Sequence, residues 1–106
     1  MEELAAYPAV LAAATTLATR QQTLLDLCIQ VQQIPAPTGA EQRRAEWVAD
    51  YLRQLGLAEV TVDGLPNVYA CIPGQVAQPA LLVSAHLDTV FPPETNLKIR
   101  HDPVHN

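Results

Sequence analysis

Two hydrophobic periods divide the chain at Gly56. Before it, apolar residues recur every three or four positions, and after it they alternate or run together. From about Ala9 to Gln33 there is no Gly or Pro, and Ala, Leu and Gln dominate, which predicts a helix. Leu17, Leu24, Cys28 and Val31 form its apolar stripe. Pro8 suits a first turn, while Pro35 and Pro37 end the helix and push Ile34 and Ala36 toward extended geometry. Thr38-Gly39-Ala40-Glu41 then has the form of a capping box. The Glu41 amide would donate to the Thr38 hydroxyl, and the Thr38 amide to the Glu41 carboxylate. A second helix is expected from there to about Leu55. Ala45, Val48, Leu52 and Leu55 share its apolar face, with Glu41, Arg44 and Asp50 largely off it. Gly56 is placed to end it in the left-handed conformation.

Beyond Gly56 the period becomes two. Val60 and Val62 alternate with Thr61 and Asp63, which predicts a half-buried strand. Asp63 to Asn67 carries turn residues, and Val68 to Ile72 reads as the returning strand. The continuous apolar run Ala80-Leu81-Leu82-Val83-Ser84-Ala85 predicts a strand buried on both faces. Helix, helix, hairpin and buried strand imply an α/β chain, part of an α/β/α sandwich. Residues Asp88 to Asn106 hold at most one more strand, near Asn96 to Arg100. A doubly buried strand needs neighbours on both edges and cover on both faces. Residues 1–106 are therefore read as the amino-terminal portion of a single, incomplete domain.

Composition adds exclusions. Hydrophobic residues make up 49% and charged ones 16%, which argues for a packed core. A net charge of −5 with no basic run argues against nucleic acid or an anionic membrane as partner. The apolar stretch Leu4 to Ala18 is interrupted by Pro8 and by Thr15-Thr16, and is too short to span a bilayer. Met1-Glu2-Glu3 is acidic where a secretory signal is basic, so the cytoplasm is the expected compartment. Cys28 and Cys71 make no disulfide framework and are expected as buried, reduced thiols without a basic neighbour to activate them.

His86 and Asp88 follow directly on the predicted buried strand. In extended chain they point to one side, at the carboxyl end where α/β sheets hold ligands. A carboxylate that accepts from one imidazole N–H orients the other nitrogen toward a metal, so His-x-Asp can be a ligand with its orienting partner. The pattern alone is common. Ser84 shares that face, yet no G-x-S-x-G is present, and residues two apart on a strand hold their Cβ atoms about 7 Å apart, too far for an easy Ser–His bond. His101 and His105 stand four apart, but Pro103 between them opposes a helical ligand pair. Glu2 and Glu3 are adjacent and do not converge. The four glycines form no phosphate-cradling pattern.

Three segments in order resemble the dinuclear zinc peptidases and amidohydrolases. That family includes tripeptide aminopeptidase, bacterial glutamate carboxypeptidase, acetylornithine deacetylase and aminoacylase. Leu82-Val83-Ser84-Ala85-His86-Leu87-Asp88-Thr89-Val90-Phe91-Pro92 resembles the family's first metal-binding motif. Ile34 to Glu41, followed by a helix ending Leu55-Gly56, is similar to the entry into the catalytic domain, and Asn67-Val68-Tyr69-Ala70 to the strand before the metal strand. The resemblance covers roughly residues 20–106.

It implies that His86 ligates one of two zinc ions and that Asp88 is the catalytic-site carboxylate orienting it. It further implies hydrolysis of a peptide or N-acyl amino acid substrate by metal-activated water, in a parent protein that is possibly a homodimer. The sequence also departs from the family. The bridging aspartate, the Glu-Glu pair, a further acidic ligand and the distant histidine do not follow Asp88 in matching context, and Asp102 lacks the flanking glycines. No lid or dimerisation domain is present. One His and one carboxylate do not close a catalytic zinc site, so the expectation is an amino-terminal fragment, inactive alone. The rival expectation is a short, non-catalytic α/β interaction module.

Overall fold

The computed structural model describes residues 7–76, 78 and 80–102. These residues form three helices and a two-stranded antiparallel sheet, a mixed α/β chain. Helix α1 is Pro8–Thr19, α2 Gln21–Gln32 and α3 Gln42–Gln54; strand β1 is Ala58–Val62 and β2 Val68–Cys71. The chain divides between Gln30 and Val31 into two compact units.

In the first unit the expected single helix is broken at Arg20, which leaves helical geometry at φ −107° and ψ 14°. Threonines supply a physical reason. The hydroxyls of Thr15 and Thr16 donate to the carbonyls of Leu11 and Ala12, and that of Thr19 donates to Thr16. Such back-bonding competes with the ladder and bends a helix. Pro8 sits in the first turn, where its missing N–H costs nothing. The predicted stripe is not a buried seam. Leu17 is 56% exposed, and Leu24 and Cys28 are exposed too, whereas Leu27 and Ile29 are half-buried. Cys71 is also exposed, which corrects the reading of both cysteines as buried thiols. Apolar neighbours in sequence do not by themselves bring cover.

In the second unit, Ile34 to Ala40 leads into α3. Pro37 to Ala40 is a tight turn closed by the Ala40 amide donating to the Pro37 carbonyl at 2.8 Å. Its third residue, Gly39, stands at φ +87°, as a type II turn requires. The capping box does not form. Glu41 is itself the N-cap, its carboxylate accepts from the Gly39 amide at 2.7 Å, and the Thr38 hydroxyl is directed elsewhere. Helix α3 buries Ala45 and Ala49, and Ala36 of the preceding loop is fully buried as well. Small residues let the backbones approach closely, at the cost of little apolar area, about 0.8 kcal/mol per buried CH₂. Arg44 is buried too, against the expectation that placed it off the apolar face, while Leu55 is exposed.

The helix ends as its glycine predicts. The Gly56 amide donates to Arg53 and that of Leu57 to Leu52, with Gly56 at φ +79°, the Schellman arrangement. Helix α3 packs on both strands. The hairpin pairs Ala58 with Cys71, Thr61 with Tyr69 and Val62 with Val68, with a register irregularity between Ala58 and Thr61. The expected alternation holds in β1, where Glu59 and Thr61 are exposed and Val60 and Val62 half-buried.

The predicted buried strand Ala80–Ala85 is not one. It carries no strand pairing, and Leu81, Leu82 and Val83 are 91%, 87% and 84% exposed. The hairpin and α3 leave it without cover on two faces, which is what a doubly buried strand needs. No strand forms near Asn96 to Arg100 either, where the Leu97 carbonyl accepts from the Gln33 side chain. No helix among the described residues is long and apolar enough to cross a membrane.

Candidate functional site

His86 and Asp88 come together as their spacing predicts, at the point where the chain returns to the loop before α3. Backbone pairing at Thr89 and the Arg44 side chain set that point. The Thr89 amide donates to the Ala36 carbonyl at 2.7 Å, and Thr89 forms a parallel bridge with Pro37. The Arg44 guanidinium donates through Nη1 to the Leu87 carbonyl at 2.8 Å, and through Nε and Nη2 to the carbonyl of Ile34. One planar fork thus holds the carbonyl between His86 and Asp88 and the carbonyl that opens the loop. Burial lowers the Arg44 pKa and the nearby Asp88 charge opposes that fall.

Asp88 has both carboxylate oxygens engaged. Oδ2 accepts from the Thr38 hydroxyl at 2.7 Å, and Oδ1 lies 3.1 Å from His86 Nδ1. The Thr38 bond, then the His86 contact, hold the Asp88 carboxyl below the ordinary carboxylate range. With its proton on Nδ1, the His86 ring donates to Asp88 and carries the lone pair on Nε2. The His86 side chain is 96% exposed, against 27% for Asp88, so the anchor is sheltered and the imidazole is open to solvent.

An open cavity of about 790 Å³ adjoins the pair, with Val48, Leu52, Leu65, Val68 and Leu82 among its apolar lining and Ser84 and Glu41 among its polar lining. Ser84 lines the same cavity as His86, whose Nδ1 faces Asp88. His101 lies in irregular, exposed chain. His105, Glu2 and Glu3 lie outside the described residues.

The zinc that the resemblance implies needs more donors than this site supplies. Among the described residues no group of three or more His, Cys, Asp or Glu could hold a metal ion. A catalytic zinc takes three protein ligands, and among the described residues this site offers the His86 imidazole, whose neighbouring carboxylate is engaged with it and with Thr38. These residues do not by themselves fit a zinc centre. What they do is set an imidazole ring against an anchored carboxylate, with Nδ1 3.1 Å from Asp88 Oδ1.

Sequence reasoning missed two members of the arrangement. The Thr38 signal reads as a helix cap, and Arg44 falls largely off the predicted apolar face of α3. Comparison with protein families, with curated proteins and with solved structures finds no match for this chain.

Proposed function

We propose that this chain carries the first ligand segment of a zinc-dependent hydrolase of peptide or N-acyl amide bonds, and is inactive by itself. The observation that carries the reading is the His86 Nδ1 to Asp88 Oδ1 contact of 3.1 Å, which leaves Nε2 on an exposed ring. An oriented imidazole with an anchored carboxylate behind it is the arrangement that metal-binding histidines use. The remaining ligands then come from outside the described residues. In that setting the apolar run 80–85 gains strand neighbours and the chain becomes part of an α/β/α sandwich, in a cytoplasmic protein acting on a peptide or N-acyl amino acid. The resemblance of Leu82–Pro92, Ile34–Glu41 and Asn67–Ala70 to the dinuclear zinc peptidases supports the same assignment.

The test is the polypeptide purified from its native host, measured for intact mass, zinc content and chelator-sensitive hydrolysis of dipeptides and N-acyl amino acids. A zinc-containing, chelator-sensitive product heavier than 11.5 kDa is expected. A stable, zinc-free product of 11.5 kDa overturns the reading. It would favour the second one, a non-catalytic interaction module, for which the exposed Leu81–Val83 run is the supporting observation.

A further inference from the structure

We infer that Thr38 is a positioning residue for His86, acting through Asp88; this rests on the hydrolase reading above. A carboxylate turns readily about its last torsion, because rotation at an sp³–sp² bond is broad. Asp88 would then offer either oxygen, or water, to the imidazole. The Thr38 hydroxyl removes that freedom by giving its one proton to Oδ2 at 2.7 Å, which leaves Oδ1 for His86 Nδ1.

The loop is built to deliver that hydroxyl. Thr38 is the second residue of the Pro37–Ala40 turn, whose closure depends on Gly39 at φ +87°. Pro37 bridges Thr89, so the turn and the Asp88 segment run side by side, one residue either way from the hydroxyl and the carboxylate. Fifty positions of sequence separate Thr38 from Asp88, and the bond is made only when the two segments are docked. The relay Thr38–Asp88–His86 therefore makes the presentation of Nε2 conditional on the loop before α3. The local alternative, a cap on α3, is not taken, since no side-chain cap bond forms there.

The test reads the tautomer of His86 in the 106-residue chain without metal, by ¹⁵N NMR of the ring nitrogens at about pH 8, above the usual imidazole pKa. Wild type is expected to be predominantly Nδ1–H. Thr38→Val, and Thr38→Ala as the variant with no added branch, move the ring toward Nε2–H. Thr38→Ser keeps the wild-type tautomer. A loss of loop structure alone would not be rescued by serine while valine, the closer isostere, fails. A wild-type ring found as Nε2–H, or valine and alanine variants with an unchanged tautomer, overturns the proposal.

Zinc content of the protein purified from its native host separates the two readings. A zinc-free product sinks the hydrolase reading while the tautomer result stands. In a zinc-containing product, loss of the Thr38 hydroxyl weakens zinc binding by about tenfold, the lower end of what orienting partners contribute.

Discussion

Arg44 Nη1 donates to the Leu87 carbonyl at 2.8 Å, while the same guanidinium holds Ile34. A side chain on α3 thereby fastens the two segments that carry Thr38 and Asp88. Only 5% of Arg44 is exposed, so its removal leaves carbonyls in half-buried surroundings without a donor. Each unsatisfied group of that kind costs about 1–3 kcal/mol. Arg44→Met is expected to lower the urea midpoint and to expose the Thr89 amide to hydrogen exchange. Arg44→Lys should recover little, because an ammonium is a point donor and not a fork. Unchanged Thr89 protection in the methionine variant would show that the attachment lies elsewhere.

The hairpin turn is governed by one carboxylate. Asp63 accepts from the amides of Leu65 and Asn67, from the Asn67 side chain, and from the Tyr69 hydroxyl at 3.0 Å. These bonds, those from Asn67 first, pull its pKa from 3.8 to about 2. A depressed carboxylate contributes stability above its unfolded pKa and loses it as pH falls through the folded one, here from 3.8 toward about 2. Tyr69 works in the opposite sense. Its bond to Asp63 raises its pKa above 10.0, so its contribution is present below that value and is lost as pH rises through the folded pKa. Carboxyl ¹³C titration should place Asp63 near pH 2, and Asp63→Asn should return the Tyr69 phenol, followed by ultraviolet absorbance, to its ordinary range. An Asp63 midpoint at 3.8 would sink the account.

Two glycines hold left-handed geometry with open space where a Cβ would stand, Gly39 at φ +87° and Gly56 at φ +79°. Any cost of alanine there is conformational and not steric, about 1–2 kcal/mol. The sites nonetheless differ in consequence. Gly56→Ala should lower the stability of α3 alone. Gly39→Ala should also disturb the turn that presents Thr38, and so shift the His86 tautomer. The stacked pair Trp47 and Tyr51, with ring centroids 5.5 Å apart, gives a fluorescence probe of α3 for both variants. Equal tautomers in the two would mean that the turn does not aim Thr38.

Local signals were legible, and relationships across the chain were not. The 3.6-residue period and Gly56 located α3, and the alternation at Val60 and Val62 located β1, because each depends on neighbours within a few positions. His86 and Asp88 were readable for the same reason, being two apart. Thr38 was misread because a capping signature competes with an acceptor fifty residues away, which no window contains. Arg44 falls off the apolar face by its period, and only the docked carbonyls of Ile34 and Leu87 justify burying it. Ala80–Ala85 was called a buried strand from its apolarity, yet burial is set by what lies alongside, and hydrophobic pattern does not report that.

That apolar run gives the last prediction. Leu81, Leu82 and Val83 together leave three large side chains in water, each of which would gain about 1.5–3 kcal/mol on full burial. The backbone beside them has no strand partner among the described residues. Unpaired, apolar chain of this kind is a template for pairing with another chain. The 106-residue polypeptide is therefore expected to bind a hydrophobic dye and to self-associate as its concentration rises. Leu82→Lys places a charge in the centre of the run, on a side chain that is 87% exposed. That variant should bind less dye and remain monomeric by sedimentation, with an unchanged far-ultraviolet circular dichroism spectrum. Association that persists undiminished in Leu82→Lys would move the sticky surface away from this segment, to the exposed Leu11, Leu17 and Leu25 of the first two helices.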